Sequence, residues 1–274
     1  MGLFPGIIIV TMLKKIFNFN FADKNKHKNN YEIIAQLPGF LDFEAYKLFY
    51  LLQEINLRYR NILEIGVFCG RSLAALASVF PTAKFIGVDP FYENFRKSPA
   101  YKDEANYLSN ASNKQKPEER INNLWKIISL LDKRNRTELL KNISLAKTTQ
   151  DEFFNTCKKT KFQLCHVDGE HTFRAIEKFL NILPSFFSRG SIIIIDDFLN
   201  PGFPDISEAV HTHPCYKKSL FPFVYAFNKA VFIYKPNTGR TIASIRRLLT
   251  LKYSETNYIV RRLYDGSLMI AKKE

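Results

Sequence analysis

The stretch Asn61–Ser72, NILEIGVFCGRS, decides how the rest of the chain is read. A short apolar run, Asn61–Val67, ends in glycine and passes straight into helix-forming sequence, Ser72–Phe80. That is the signature of a strand turning into a helix. Gly66 permits a tight turn and close approach of a ligand to the backbone, and Gly70 lets the helix begin near the sheet. The spacing is GxxxG. It is not the GxGxxG that cradles a pyrophosphate at a helix N-terminus, so a nucleoside ligand without phosphates is favoured over a dinucleotide.

Outward from this turn the alternation repeats. Lys84–Asp89 (KFIGVD) reads as a second strand, Ile143–Lys147 as a third, Phe162–Asp168 (FQLCHVD) as a fourth and Ser191–Asp197 (SIIIIDD) as a fifth. The last is apolar on both faces, as in a central parallel strand covered on both sides. Helices are expected at Phe43–Leu57, around Ile121–Leu131, and at Thr172–Phe187, the last stopping at Arg189-Gly190. Strand–helix alternation of this kind predicts a doubly wound α/β domain. Beyond residue 215 the pattern changes. Phe221–Phe227 and Lys229–Tyr234 read as antiparallel strands, Thr241–Leu251 as a basic helix, and Tyr258–Tyr264 with Ser267–Lys272 as a hairpin around Asp265-Gly266.

Ligands of open parallel sheets bind beyond the carboxyl ends of the strands. Those ends carry Glu64, Asp89, Asp168, Asp196 and Asp197, a set that packing explains poorly and a binding rim explains well. Asp89 lies 23 residues beyond Gly66, where a carboxylate can accept hydrogen bonds from both hydroxyls of a ribose. A glycine turn and a ribose acid without a phosphate cradle suit S-adenosylmethionine (SAM).

The chain has 274 residues, with 40 Lys+Arg against 26 Asp+Glu, a formal net charge of +14. The excess sits in residues 1–30, 92–142 and 235–274, and the remainder is neutral. This predicts a basic polar tail (1–30), a balanced domain (31–234) with an insertion (92–142), and a basic extension (235–274). The basic segments could dock an anionic partner or only solvate the chain. The cysteines Cys69, Cys157, Cys165 and Cys215 have no CxxC spacing, which fits reduced thiols and a cytoplasmic setting. Leu3–Leu13 is apolar but too short to span a bilayer, so peripheral membrane contact is the most it predicts; Met12 is an alternative start.

Residues from about 38 to 234 resemble the class I SAM-dependent methyltransferases, on LPGFLD (37–42), ILEIGVFCGRSLAALA (62–77), FIGVDPF (85–91), HVDGEHTFRAIEKFL (166–180) and GSIIIIDDFLNPGF (190–203). The nearest branch is the macrocin- and mycinamicin-type sugar O-methyltransferases. The resemblance implies a mostly parallel, seven-stranded sheet with Phe221–Tyr234 as its final antiparallel hairpin. It implies SAM over Glu64, Gly66, Val67, Gly70 and Ser72, with Asp89 on the ribose and Asp168 at the cofactor's edge. It also implies Mg²⁺ on Asp168, Asp196 and Asp197, and His171 as the base. Hard oxygen ligands are what Mg²⁺ prefers, and a near-neutral imidazole suits proton removal.

The expected function is therefore methyl transfer from SAM to a hydroxyl of a sugar or other small metabolite, in a chain that can form homo-oligomers. The competing expectations are a nucleic-acid methyltransferase and a non-catalytic SAM-binding partner in glycan assembly. The first is disfavoured because IDDF (195–198) is not the N/D-P-P-Y/F type that base methylation uses, the second because base and carboxylates are all present. His211, His213 and Cys215 read as a helix end, and Trp125 as a packing face.

Overall fold

A computed structural model describes residues 24–55, 59–92, 115–157, 160–236, 258–263 and 267–272. The expected apolar start (Leu3–Leu13), basic helix (Thr241–Leu251) and Asp265-Gly266 turn lie outside the described residues.

Two helices, α1 (Lys24–Ile34) and α2 (Phe43–Ile55), precede the alternating part. It runs β1 (Asn61–Ile65), α3 (Arg71–Val79), β2 (Lys84–Val88), α4 (Pro117–Asn135), a single turn α5 (Leu139–Asn142), β3 (Ile143–Ala146), α6 (Gln150–Thr156), β4 (Phe162–Val167), α7 (Phe173–Phe186), β5 (Phe187–Ile195) and α8 (Pro204–Thr212). Then come β6 (Leu220–Ala226), β7 (Lys229–Tyr234), β8 (Tyr258–Arg262) and β9 (Leu268–Lys272). The strand order is β3-β2-β1-β4-β5-β7-β6-β9-β8. From β3 to β5 all neighbours are parallel, and β7 is antiparallel to both β5 and β6.

The doubly wound expectation holds: among the described residues β1–β7 form the expected mostly parallel seven-stranded sheet with its antiparallel hairpin, and β8 and β9 extend it to nine strands. The C-terminal hairpin β8–β9, read as an appendage, continues the sheet by pairing β9 parallel to β6 (Val224↔Leu268). Leu268 and Ile270 are buried there, so strand β9 shares the main core. Helix α1 covers residues 24–30 of the stretch read as a polar tail and continues to the buried Ile34. Helix α7 ends at Phe186 and the chain enters β5 at Phe187, before the Arg189-Gly190 stop, because Phe187 already pairs with Phe162. Among the described residues no helix is long and apolar enough to cross a membrane.

Side chains alternate across each strand, which divides the core in two. Ile62, Leu164, Ile192, Ile194, Val231 and Ile233 face α1–α4. Leu63, Ile65, Cys165, Ile193, Ile195 and Phe232 face α6–α8. Trp125 packs on the first of these cores, as the sequence implies.

Candidate active site

At the carboxyl edge the ladder continues beyond the strands. Gly66 N donates to Val88 O at 2.8 Å, Asp168 N to Ile65 O at 2.8 Å and Asp196 N to Val167 O at 2.9 Å. The first residue after each strand is thereby held in register with its neighbours. Gly66 has φ +85°, and a Cβ there would fall on the carbonyl oxygen of Asp168. The close approach that demands this glycine is thus between two turns of the protein itself. Gly70, at φ +82°, precedes α3, and a Cβ there would meet Leu124 of α4 at 2.6 Å.

Asp89 closes the same turn. Its Oδ2 accepts from the backbone N–H of Val67 (2.9 Å) and Phe68 (2.7 Å), and its Oδ1 from that of Phe91 (2.5 Å). Phe68 sits at φ 52°, a left-handed conformation that these bonds help hold. Burial pushes the Asp89 carboxyl above its usual range, against the pull of the three N–H groups. Arg71, next in the motif, donates from Nε to Leu37 O (2.7 Å), from Nη1 to Gly39 O (2.5 Å) and from Nη2 to Ala35 O (2.8 Å). It ties LPGFLD to the glycine turn, a link between two motifs that were read separately.

A cavity of about 270 Å³ opens beyond β1, β2 and β4, lined by Gly66, Asp89, Tyr92, Gln150, Gly169 and Arg174 among others. Of the expected cofactor residues, Gly66 and Asp89 line it. Asp168 adjoins its wall through Gly169. Glu64, Val67, Gly70 and Ser72 do not: all four are buried. Glu64 alternates onto the face opposite Ile65, where Ser72 donates to its Oε1 and His166 Nδ1 lies 3.2 Å away. Glu64 and Ser72, expected at the cofactor, are paired with each other in this buried position.

Beside the cavity the remaining acids converge with His171. Its Nε2 lies 3.5 Å from Asp168 Oδ1 and 3.8 Å from Asp197 Oδ2, and its ring is 4.5 Å from that of Phe203. Thr172 caps α7, accepting from Ala175 N at 3.3 Å. Asp197 has φ 51°, a left-handed conformation. Burial and the neighbouring Asp196 charge push Asp168 up to about 6. The ligand atoms of Asp168, His171 and Asp197 lie within 4.8 Å of one another, close enough to share a divalent cation. Two hard carboxylates fit Mg²⁺.

Two residues of this site escaped the sequence reading. His166 is wholly buried between Glu64 and Asp196, with Nε2 3.5 Å from Asp196 Oδ2. Lys229 forms an ion pair with that same oxygen. Burial disfavours the imidazolium, yet the bonds to Asp196 and Glu64 outweigh it and raise His166 to about 9. Burial likewise opposes ionisation of Asp196, and the Lys229 charge overrides it, holding the carboxyl well below its ordinary range. The signal was a charged residue inside otherwise apolar strands, FQLCHV and KAVFIY.

Residues 63–198 match a family model described as a methyltransferase domain. The chain is a SAM-dependent methyltransferase. An O-methyltransferase from Bacillus cereus in complex with SAH shares the methyltransferase's fold at 13% identity, over 80% of this chain and 96% of that one, with a TM-score of 0.50. CalS11, a TDP-rhamnose 3′-O-methyltransferase of calicheamicin biosynthesis, is similar at 16% identity over 85% and 96% (TM-score 0.49). TomG from Streptomyces achromogenes, an O-methyltransferase of tomaymycin synthesis in complex with SAM, is similar at 13% over 86% and 80% (TM-score 0.43). No curated protein matches the methyltransferase in sequence.

Proposed function

We propose that the methyltransferase moves the methyl group of SAM to a hydroxyl of a sugar or other small hydroxylated metabolite, with Mg²⁺ assisting. The observation that carries this is His171 within 3.8 Å of two carboxylates, Asp168 and Asp197, beside a cavity walled by Gly66 and Asp89. In this reading the cavity takes SAM, with Asp89 toward the ribose. His171 takes the hydroxyl proton as the oxygen attacks the sulfonium methyl. The methyl–sulfur bond breaks and S-adenosylhomocysteine leaves. Asp168 orients the imidazole and stabilises its cationic form. Asp168 and Asp197 would hold Mg²⁺, which when bound lowers a hydroxyl's pKa and orients it. Most of the rate gain comes from holding donor and acceptor in line.

The setting is read as cytoplasmic, in keeping with four cysteines that form no disulfide. An anionic acceptor, such as a phosphorylated sugar, fits the basic flanking segments. The test is methyl transfer from labelled SAM across a panel of hydroxylated sugars and cell extract, with and without EDTA. Label in a sugar, lost with EDTA and restored by Mg²⁺, is expected. Label only in RNA or DNA, or none, rejects the reading.

A further inference from the structure

Lys229 is a buried cation that the chemistry above leaves unused. Its side chain is 5% exposed and its ammonium sits on Oδ2 of Asp196. It is delivered there by the β6–β7 hairpin, whose two-residue turn, Phe227-Asn228, has φ 52° and 65°, the primed turn geometry that matches strand twist. The register sets Ala226 opposite Lys229, and Ile195 opposite Ala230, so Lys229 comes level with Asp196. Asn228 donates to Oδ1 of Asp197 from the same turn. Both oxygens of Asp196 are thus engaged: Oδ2 faces Lys229 and His166, and Oδ1 accepts from Asp197 N at 2.8 Å. Asp197 Oδ2 faces His171, and a carboxylate oxygen of Asp197 lies within 4.8 Å of one of Asp168. A divalent cation on Asp196 would lie against a buried ammonium, where like charges repel strongly.

We propose that Lys229 is the resident cation of Asp196, so that Asp196 is a positioning residue and a divalent cation at this rim is held by Asp168 and Asp197 without it. The inference rests on the metal-assisted reading above and divides the Asp-Asp pair into an anchor and a ligand.

Calorimetric titration of Mn²⁺ into the full chain tests it. Wild type is compared with Asp197→Asn, with Lys229→Met, and with the charge-neutral pair Asp196→Asn/Lys229→Met. The pair variant should match wild type within about threefold, and Asp197→Asn should bind about tenfold or more weakly. Lys229→Met should bind more tightly than wild type, since the released Asp196 has a ligand oxygen within 4.8 Å of Asp168. A pair variant as weak as Asp197→Asn overturns the inference. If wild type takes up no Mn²⁺, the inference is overturned, since Asp168 and Asp197 then hold no cation without Asp196; binding gained in Lys229→Met keeps a metal site at this rim, and none there removes the metal part of the proposed function as well. Melting temperatures cover the variant that leaves a buried carboxylate uncompensated. Lys229→Met unfolded beside a folded pair variant supports the pairing, and both unfolded overturns it.

Discussion

His166 sits wholly buried between two carboxylates, and its charge state is set by them and not by solvent. Its raised pKa links stability to pH. The group binds a proton more tightly folded (about 9) than unfolded (6.5), so its contribution is complete below 6.5 and is lost as pH rises through 9. The urea midpoint of the metal-free protein should therefore fall between pH 7 and 9, and the fall should shrink in His166→Asn; a midpoint flat across that range speaks against an imidazolium. His171 is expected to act on the reaction instead of the fold. His171→Ala should lower kcat about 10²–10⁴-fold, the usual reach of a general base, with SAH affinity unchanged. An unaltered kcat removes it from the chemistry. The rim acids could be read from strand ends, and His171 from the family resemblance. Lys229 and Asn228 could not, since their partners lie 33 and 31 residues away and meet them only through hairpin register.

Helix α2 shows what an element contributes beyond its own burial. Phe49 is fully buried and meets His166 edge-on, with ring centroids 5.7 Å apart. The amphipathic pattern of Phe43–Ile55 makes the helix and its buried face legible. Its sequence does not reveal that this face roofs a charged row. Phe49→Ala should cost about 3–5 kcal/mol in urea unfolding, the range for a large core aromatic, and should admit water to His166. A cost below about 1 kcal/mol would mean that α2 does not seal the row. The strand-to-helix turn was legible as a glycine motif, but its reason changed: Gly66 is required by the Asp168 backbone, and Asp89 fastens the turn through three N–H groups.

Across the whole molecule the parallel part of the sheet was legible because buried central strands are continuous apolar runs with acidic ends. The ninth-strand edge was not. The Asp-Gly hairpin signal identifies a hairpin, whereas its place depends on a long-range pairing of Val224–Ala226 with Leu268–Ile270. Removing residues 235–274 should uncover β6 as an edge and expose Val224 and Ala226, giving a protein that self-associates on size-exclusion chromatography. A monodisperse, equally stable truncation would show that the hairpin is dispensable to the core.

The central claim is that this chain binds SAM in the cavity at Gly66 and Asp89, and the direct measurement is calorimetric titration of SAH into the full chain. The account predicts one molecule bound per chain, with affinity weakened about tenfold or more in a folded Asp89→Ala variant. A folded wild-type protein that takes up no SAH, or a variant that binds it equally well, would contradict it.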